Sequence, residues 1–147
     1  MLPEWLEMRD MLVRSMSEHR ALCQAATPDP VALSRSRWLL SNASRQRASW
    51  LVHTVNPVAE RLAHTPGGAA WLAFQATATD YRQGISTFLS RWPIEATVAD
   101  WAGYRRDVVV LRGTIAPRLR QEEFAIRALA AALEAQGDIP AVVTRQA

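Results

Sequence analysis

The sequence predicts an all-α fold, an antiparallel up-down-up-down four-helix bundle. Three observations predict it. Apolar residues recur at i, i+3, i+4 and i+7 over four long stretches, the rhythm of buried helix faces. Those stretches are separated by Thr27-Pro28-Asp29-Pro30, Thr65-Pro66-Gly67-Gly68 and Trp92-Pro93, all strong breakers. Only 6 of 147 residues are glycine, and Ala, Leu and Arg abound, as helices favour. Four amphipathic helices joined by short turns bury their faces most simply as a bundle.

The first helix is expected from about Pro3 to Ala26, with Pro3 in the first turn and Glu4, Glu7 and Asp10 at the positive end of its dipole. Its stripe reads Trp5, Met8, Leu12, Met16, His19, Leu22. The second, from about Val31 to His64, carries Leu33, Leu40, Ser44, Arg47, Leu51, Val55, Val58 and Leu62, with a kink or short break at Pro57. The third, from about Ala69 to Trp92, carries Trp71, Phe74, Ala78, Tyr81, Ile85, Phe88 and Trp92. The fourth, from about Glu95 to Gln136, carries Trp101, Tyr104, Val108, Leu111, Ile115, Ile126, Leu129 and Leu133, with a local kink at Pro117. Gly137-Asp138-Ile139-Pro140 is a stop signal. The bundle domain is therefore 1–137, and 138–147 is a loose C-terminal tail.

Burial is not limiting, because 49% of the chain is apolar and six residues are Trp. Trp5, Trp71 and Trp101 fall on inner stripes near helix ends and read as plugs of the core. Trp38 and Trp50 fall off the second stripe and are expected either to widen that face or to make a partner contact, such as a homodimer through the second helix. All 17 basic residues are arginine, scattered along the chain with no block of five or six, so a nucleic-acid groove has little support. No apolar run reaches the roughly 20 residues of a membrane span, and no secretory leader is evident, so the expected location is cytoplasmic. The single Cys23 excludes an internal disulfide. No glycine-rich phosphate loop, Cys-x-x-Cys pair or Ser/His/Asp set stands out, and no enzymatic role is expected. His53, Glu60 and His64 share a helix face loosely, but Pro57 and the following turn disfavour a metal there.

The informative residues are polar ones in apolar positions. Continuing the fourth stripe across its gap puts Arg118 and Glu122 where core residues belong. His19, Arg47 and Tyr81 stand on the other three stripes about midway along a helix or somewhat beyond, so side chains from all four helices are expected to converge. A buried charge is costly unless it is paired or coordinates a metal.

Three segments give the chain a family likeness: Glu18-His19-Arg20-Ala21-Leu22, Val55-Asn56-Pro57-Val58-Ala59-Glu60-Arg61-Leu62 and Arg118-Leu119-Arg120-Gln121-Glu122-Glu123. Over about residues 5 to 136 the chain resembles a hemerythrin-like (HHE cation-binding) domain. That resemblance implies a four-helix bundle with a non-haem di-iron site of histidines and carboxylates. The departures fall on the ligand positions: Arg47 and Leu51 in the second helix, Tyr81 in the third and Arg118 in the fourth. Leucine offers no donor atom, and two guanidinium groups repel Fe²⁺. The expectation is a degenerate site, without cofactor, in which His19, Arg47, Tyr81, Arg118, Glu122 and Glu123 form a core polar cluster in place of the metal. Alternatives are non-haem iron held by His19, Tyr81, Glu122 and Glu123, or a small ligand or anion held by the Arg pair. With two arginines and one certain carboxylate, the charge balance requires Glu123 turned inward, or an anion or water.

Overall fold

In the computed structural model, which describes residues 1–137, helices joined by short turns make up the described chain, with no strand among the described residues. The helices are α1 (Leu2–Cys23), α2 (Pro30–Trp50), α3 (Asn56–Arg61), α4 (Pro66–Gln75), α5 (Ala78–Arg91), α6 (Ile94–Ala99) and α7 (Trp101–Gly137). The expected tail, 138–147, lies outside the described residues. No described helix is long and apolar enough to cross a membrane.

Each departure from the expected boundaries has a local cause. α1 stops at Cys23 rather than Ala26, because Pro28 disfavours the α region for Thr27 and the chain turns before it. α2 starts where Asp29 accepts the Ala32 amide at 3.1 Å and Pro30 takes a first-turn position. Around Pro57 the helix neither ends nor breaks. It widens into a π-helical turn, Leu51–Val55, in which the Asn56 amide reaches the Leu51 carbonyl. Proline lacks an N–H, and a single π turn absorbs the disruption while keeping Leu51, Val55, Ala59 and Leu62 buried.

The expected third helix is two helices. Thr65-Pro66-Gly67-Gly68 is not a separate turn but a cap and the opening of α4: Thr65 Oγ1 accepts the Gly68 amide at 3.1 Å. The helix then breaks at Ala76-Thr77, where Thr77 Oγ1 donates to the Phe74 carbonyl at 2.7 Å. The fourth is also two, because the Asp100 carboxylate caps α7 by accepting the Gly103 amide at 3.0 Å. α7 runs through Pro117 without interruption.

α1 packs on α2, and α4 packs on both α3 and α7. The apolar interior has two parts. Trp5, Leu51, Val55, Ala59, Leu62, Trp71, Ile126 and Leu129 form one; Cys23, Leu33, Trp92, Trp101, Tyr104 and Val108 form the other. Between them the stripe residues Leu40, Ile85, Leu111 and Ile115 are only half-buried, and α5 buries no residue fully.

Two glycines hold α4 close. A Cβ on Gly67 would overlap the Ala128 carbonyl of α7, and one on Gly68 would overlap the Leu62 carbonyl. Backbone cannot step aside as a side chain can, so Gly68→Ala is expected to destabilise by about 1–3 kcal/mol. Gly84→Ala and Gly113→Ala, at helical positions with nothing within 4 Å of the added carbon, are expected to stabilise by up to about 1 kcal/mol. Urea denaturation of the three variants checks both signs.

Candidate functional site

Arg47 and Glu122 meet in the interior. The Arg47 Nη1 donates to Glu122 Oε1, and both side chains are over nine-tenths buried. The same Oε1 accepts the Trp5 indole N–H at 2.7 Å. The helix rhythm explains the meeting: Arg47 stands one turn before Leu51, and Glu122 one turn before Ile126, on stripes facing the first apolar cluster. Trp5 reads from sequence as a plug, but a buried indole N–H seeks an acceptor, and that need is the signal for its second role.

Arg118 lies at the same level but has a different partner. Its guanidinium donates to Thr77 Oγ1 and, at 3.4 Å, to the Phe74 carbonyl. It stacks 3.7 Å over the Phe74 ring and 5.3 Å from the Tyr81 ring. It therefore lies at the C-terminal end of α4, where the helix dipole favours a cation. Burial lowers its pKa, with Glu122 acting in the opposite sense. The Tyr81 hydroxyl titrates above its ordinary value because it is desolvated, against the pull of Arg47 and Arg118. The two arginines thus divide their compensation between a carboxylate and a helix terminus, and the charge balance does not require Glu123.

Glu123 turns outward. It accepts from Arg127 at 2.7 Å and Arg9 at 2.9 Å, tying α7 to α1 at the surface. Its pKa is lowered chiefly by the hydrogen bond from Arg127.

His19 does not join the cluster either. Its Nε2 lies 2.8 Å from the Tyr104 hydroxyl, within the second apolar cluster. Tyr104 and Glu122 are 18 positions apart on one helix, about 27 Å at the usual rise. The equal-height expectation fails because α1 starts, rather than centres, at the level of Glu122: Trp5 bonds that carboxylate, and His19 lies 14 positions further along the helix. Burial, then Arg37, then Arg112 push the His19 pKa down to about 4, so the ring is neutral at neutral pH. Tyr104 is pushed up to about 12 by burial. Arg37, read from sequence only as a scattered charge, donates to the Trp92 carbonyl and lies 5.9 Å from the Tyr104 ring. Its signal was weak: a position beside the stripe, facing a Trp-Pro helix end.

These donors do not fit a di-iron centre. Glu122 Oε1 is already shared by a guanidinium and an indole, and His19 lies about five helical turns away. Among the described residues, no three His, Cys, Asp or Glu side chains gather as metal ligands. His53, Glu60 and His64 are all exposed. Cys23 Sγ lies 3.8 Å from His19 Nδ1, but burial raises its pKa, the opposite of what a nucleophilic thiolate needs.

No family model, curated protein or solved structure matches the chain.

Proposed function

We propose that this chain is a non-enzymatic helical bundle of hemerythrin-like descent, with side-chain cations where a metal pair once lay. Its role would be structural, sensory or partner-binding. In this reading the helices group as four antiparallel rods: α1; α2 with α3; α4 with α5; and α6 with α7. The packing of α1 on α2 and of α4 on α7 supports that grouping.

The single observation that carries the reading is the Arg47–Glu122 pair. A guanidinium stays protonated at any ordinary pH and cannot ligate iron. Here it occupies a lone pair of the one buried carboxylate retained from the resemblance. The test is metal analysis of untagged protein produced with added iron. The expected content is far below one iron per chain; near-stoichiometric iron would return the reading to a metalloprotein.

A second reading, a small-anion binder built on the Arg47 and Arg118 pair, is favoured by the Nε of Arg47, which is buried without a hydrogen-bond partner, although Arg118 is turned to Thr77 and the end of α4. Titration with inorganic phosphate separates the two. The first reading predicts no saturable rise in melting temperature, and the second predicts one that Arg47→Met abolishes.

A further inference from the structure

We propose that two copies of this chain pair through the outer faces of α1 and α2, α1 of each copy lying over α2 of the other. This goes beyond the reading above and does not depend on it.

The first observation is a division of charge between two adjacent helices. Between Asp29 and Glu60 the sequence holds no acidic residue. The exposed residues of α2 opposite its buried stripe include Arg35, Trp38, Leu39, Arg45 and Gln46, continued by His53. A shallow depression of about 490 Å³ runs along this face from Asn42 to His53. The corresponding face of α1 carries Glu7, Met11, Arg14 and Glu18, all exposed. Arg35, Arg45, Glu7 and Glu18 enter none of the ion pairs found among the described residues. One molecule therefore displays unpaired cations on one helix and, on its neighbour, two unpaired acids on either side of the unpaired Arg14.

The second observation is apolar area on the same surface. Trp38 is 60% exposed, Met11 50% and Leu39 37%. Aromatic and aliphatic anchors beside arginine are the composition of interface centres rather than of open surface.

Symmetry then selects the arrangement. Trp5 shares a cluster with Leu51 and Val55, and Cys23 shares the other with Leu33, so the start of α1 lies beside the end of α2. A two-fold axis parallel to the helices preserves height and sets each α1 over the partner's α2, acids against cations. A two-fold axis across them would set α1 on α1 and α2 on α2, like charges together. Glu18 then falls between the levels of Arg35 and Arg45, within about one to two turns of either, and Glu7 falls near His53. Arg14 faces the neutral Asn42. With 22 residues in α1, the face is about 33 Å long and, two helices wide, about 20 Å across. That is about 1,300 Å² for the pair of copies, at the lower end of the range of stable interfaces.

Sedimentation of the intact chain over a concentration series from micromolar upward tests the proposal. The expected result is a reversible dimer of twice the chain mass that weakens as salt screens the exposed charges. Glu7→Arg with Glu18→Arg should leave monomers of unchanged helicity. Adding Arg35→Glu and Arg45→Glu to the same chain should restore the dimer, because these arginines flank the level of Glu18, and Arg45 lies about one turn from that of Glu7, so the charges facing both altered acids are reversed too. Trp38→Asp, a single exposed change, should also weaken it. A wild-type chain that stays monomeric throughout, even one that binds single-stranded nucleic acid through α2, overturns the proposal. So does a helical four-fold reversal that remains monomeric.

Discussion

Glu122→Ala is expected to lower the stability of the fold by about 3–5 kcal/mol, the cost of leaving a buried guanidinium without its counter-charge. The mechanism is local. Glu122 Oε1 accepts from both Arg47 and the Trp5 indole, so its removal strands two donors that burial keeps from water. Arg47 Nε already lacks a partner, which leaves little alternative bonding to take up the loss. For a chain of this length the drop corresponds to roughly 10 °C or more in Tm. Glu134→Ala, at an exposed position of the same helix, is the control and should move stability by no more than about 0.5 kcal/mol. Arg47→Met combined with Glu122→Leu should recover most of what either loses alone, because the apolar pair leaves no buried charge. Equal melting temperatures for the Glu122 and Glu134 variants would contradict this account of the middle of the molecule.

Acidification should destabilise the protein through His19. Folding lowers its pKa from 6.5 to about 4, first through burial and then through the nearby Arg37 and Arg112. The folded state therefore disfavours the imidazolium that the unfolded chain accepts. Above pH 6.5 both states are neutral at this residue and its contribution to stability is intact. As pH falls towards about 4 the unfolded chain takes up the proton first, and on the order of 3 kcal/mol is lost. His19→Gln retains a group able to bond the Tyr104 hydroxyl but does not titrate. The difference in unfolding free energy between wild type and this variant should change over that window and be flat above it. A pH-independent difference would contradict the assignment, as would an imidazole NMR titration near its ordinary midpoint in the folded protein.

The helical class was legible because the apolar rhythm persists over most of the chain. The breaks were less legible because single side chains make them. Asp100 caps α7 with its own carboxylate, and Thr77 turns its hydroxyl back to the Phe74 carbonyl; neither interrupts the apolar stripe. At Pro57 the missing donor was readable, but not that one wide turn would absorb it and keep the stripe in phase.

At the candidate site, stripe position brought Arg47 and Glu122 to one place, because both face the first apolar cluster. It misplaced His19, since midpoints share a level only for helices of equal length: α1 has 22 residues against 37 in α7, and its start, at Trp5, is what lies level with Glu122. It misjudged Glu123 because adjacent helical residues point about 100° apart: with Glu122 inward, its neighbour is left to Arg9 and Arg127. It could not see that Arg118 would cap α4, because the helix end it caps was itself unforeseen.

The most direct test of the central proposal is a crystal structure of iron-supplemented, untagged protein with anomalous data at the iron edge. The account predicts an Arg47 guanidinium seated on Glu122, with no anomalous peak within bonding distance of that carboxylate. A metal ion bound to Glu122, with Arg47 turned away to solvent, would contradict it.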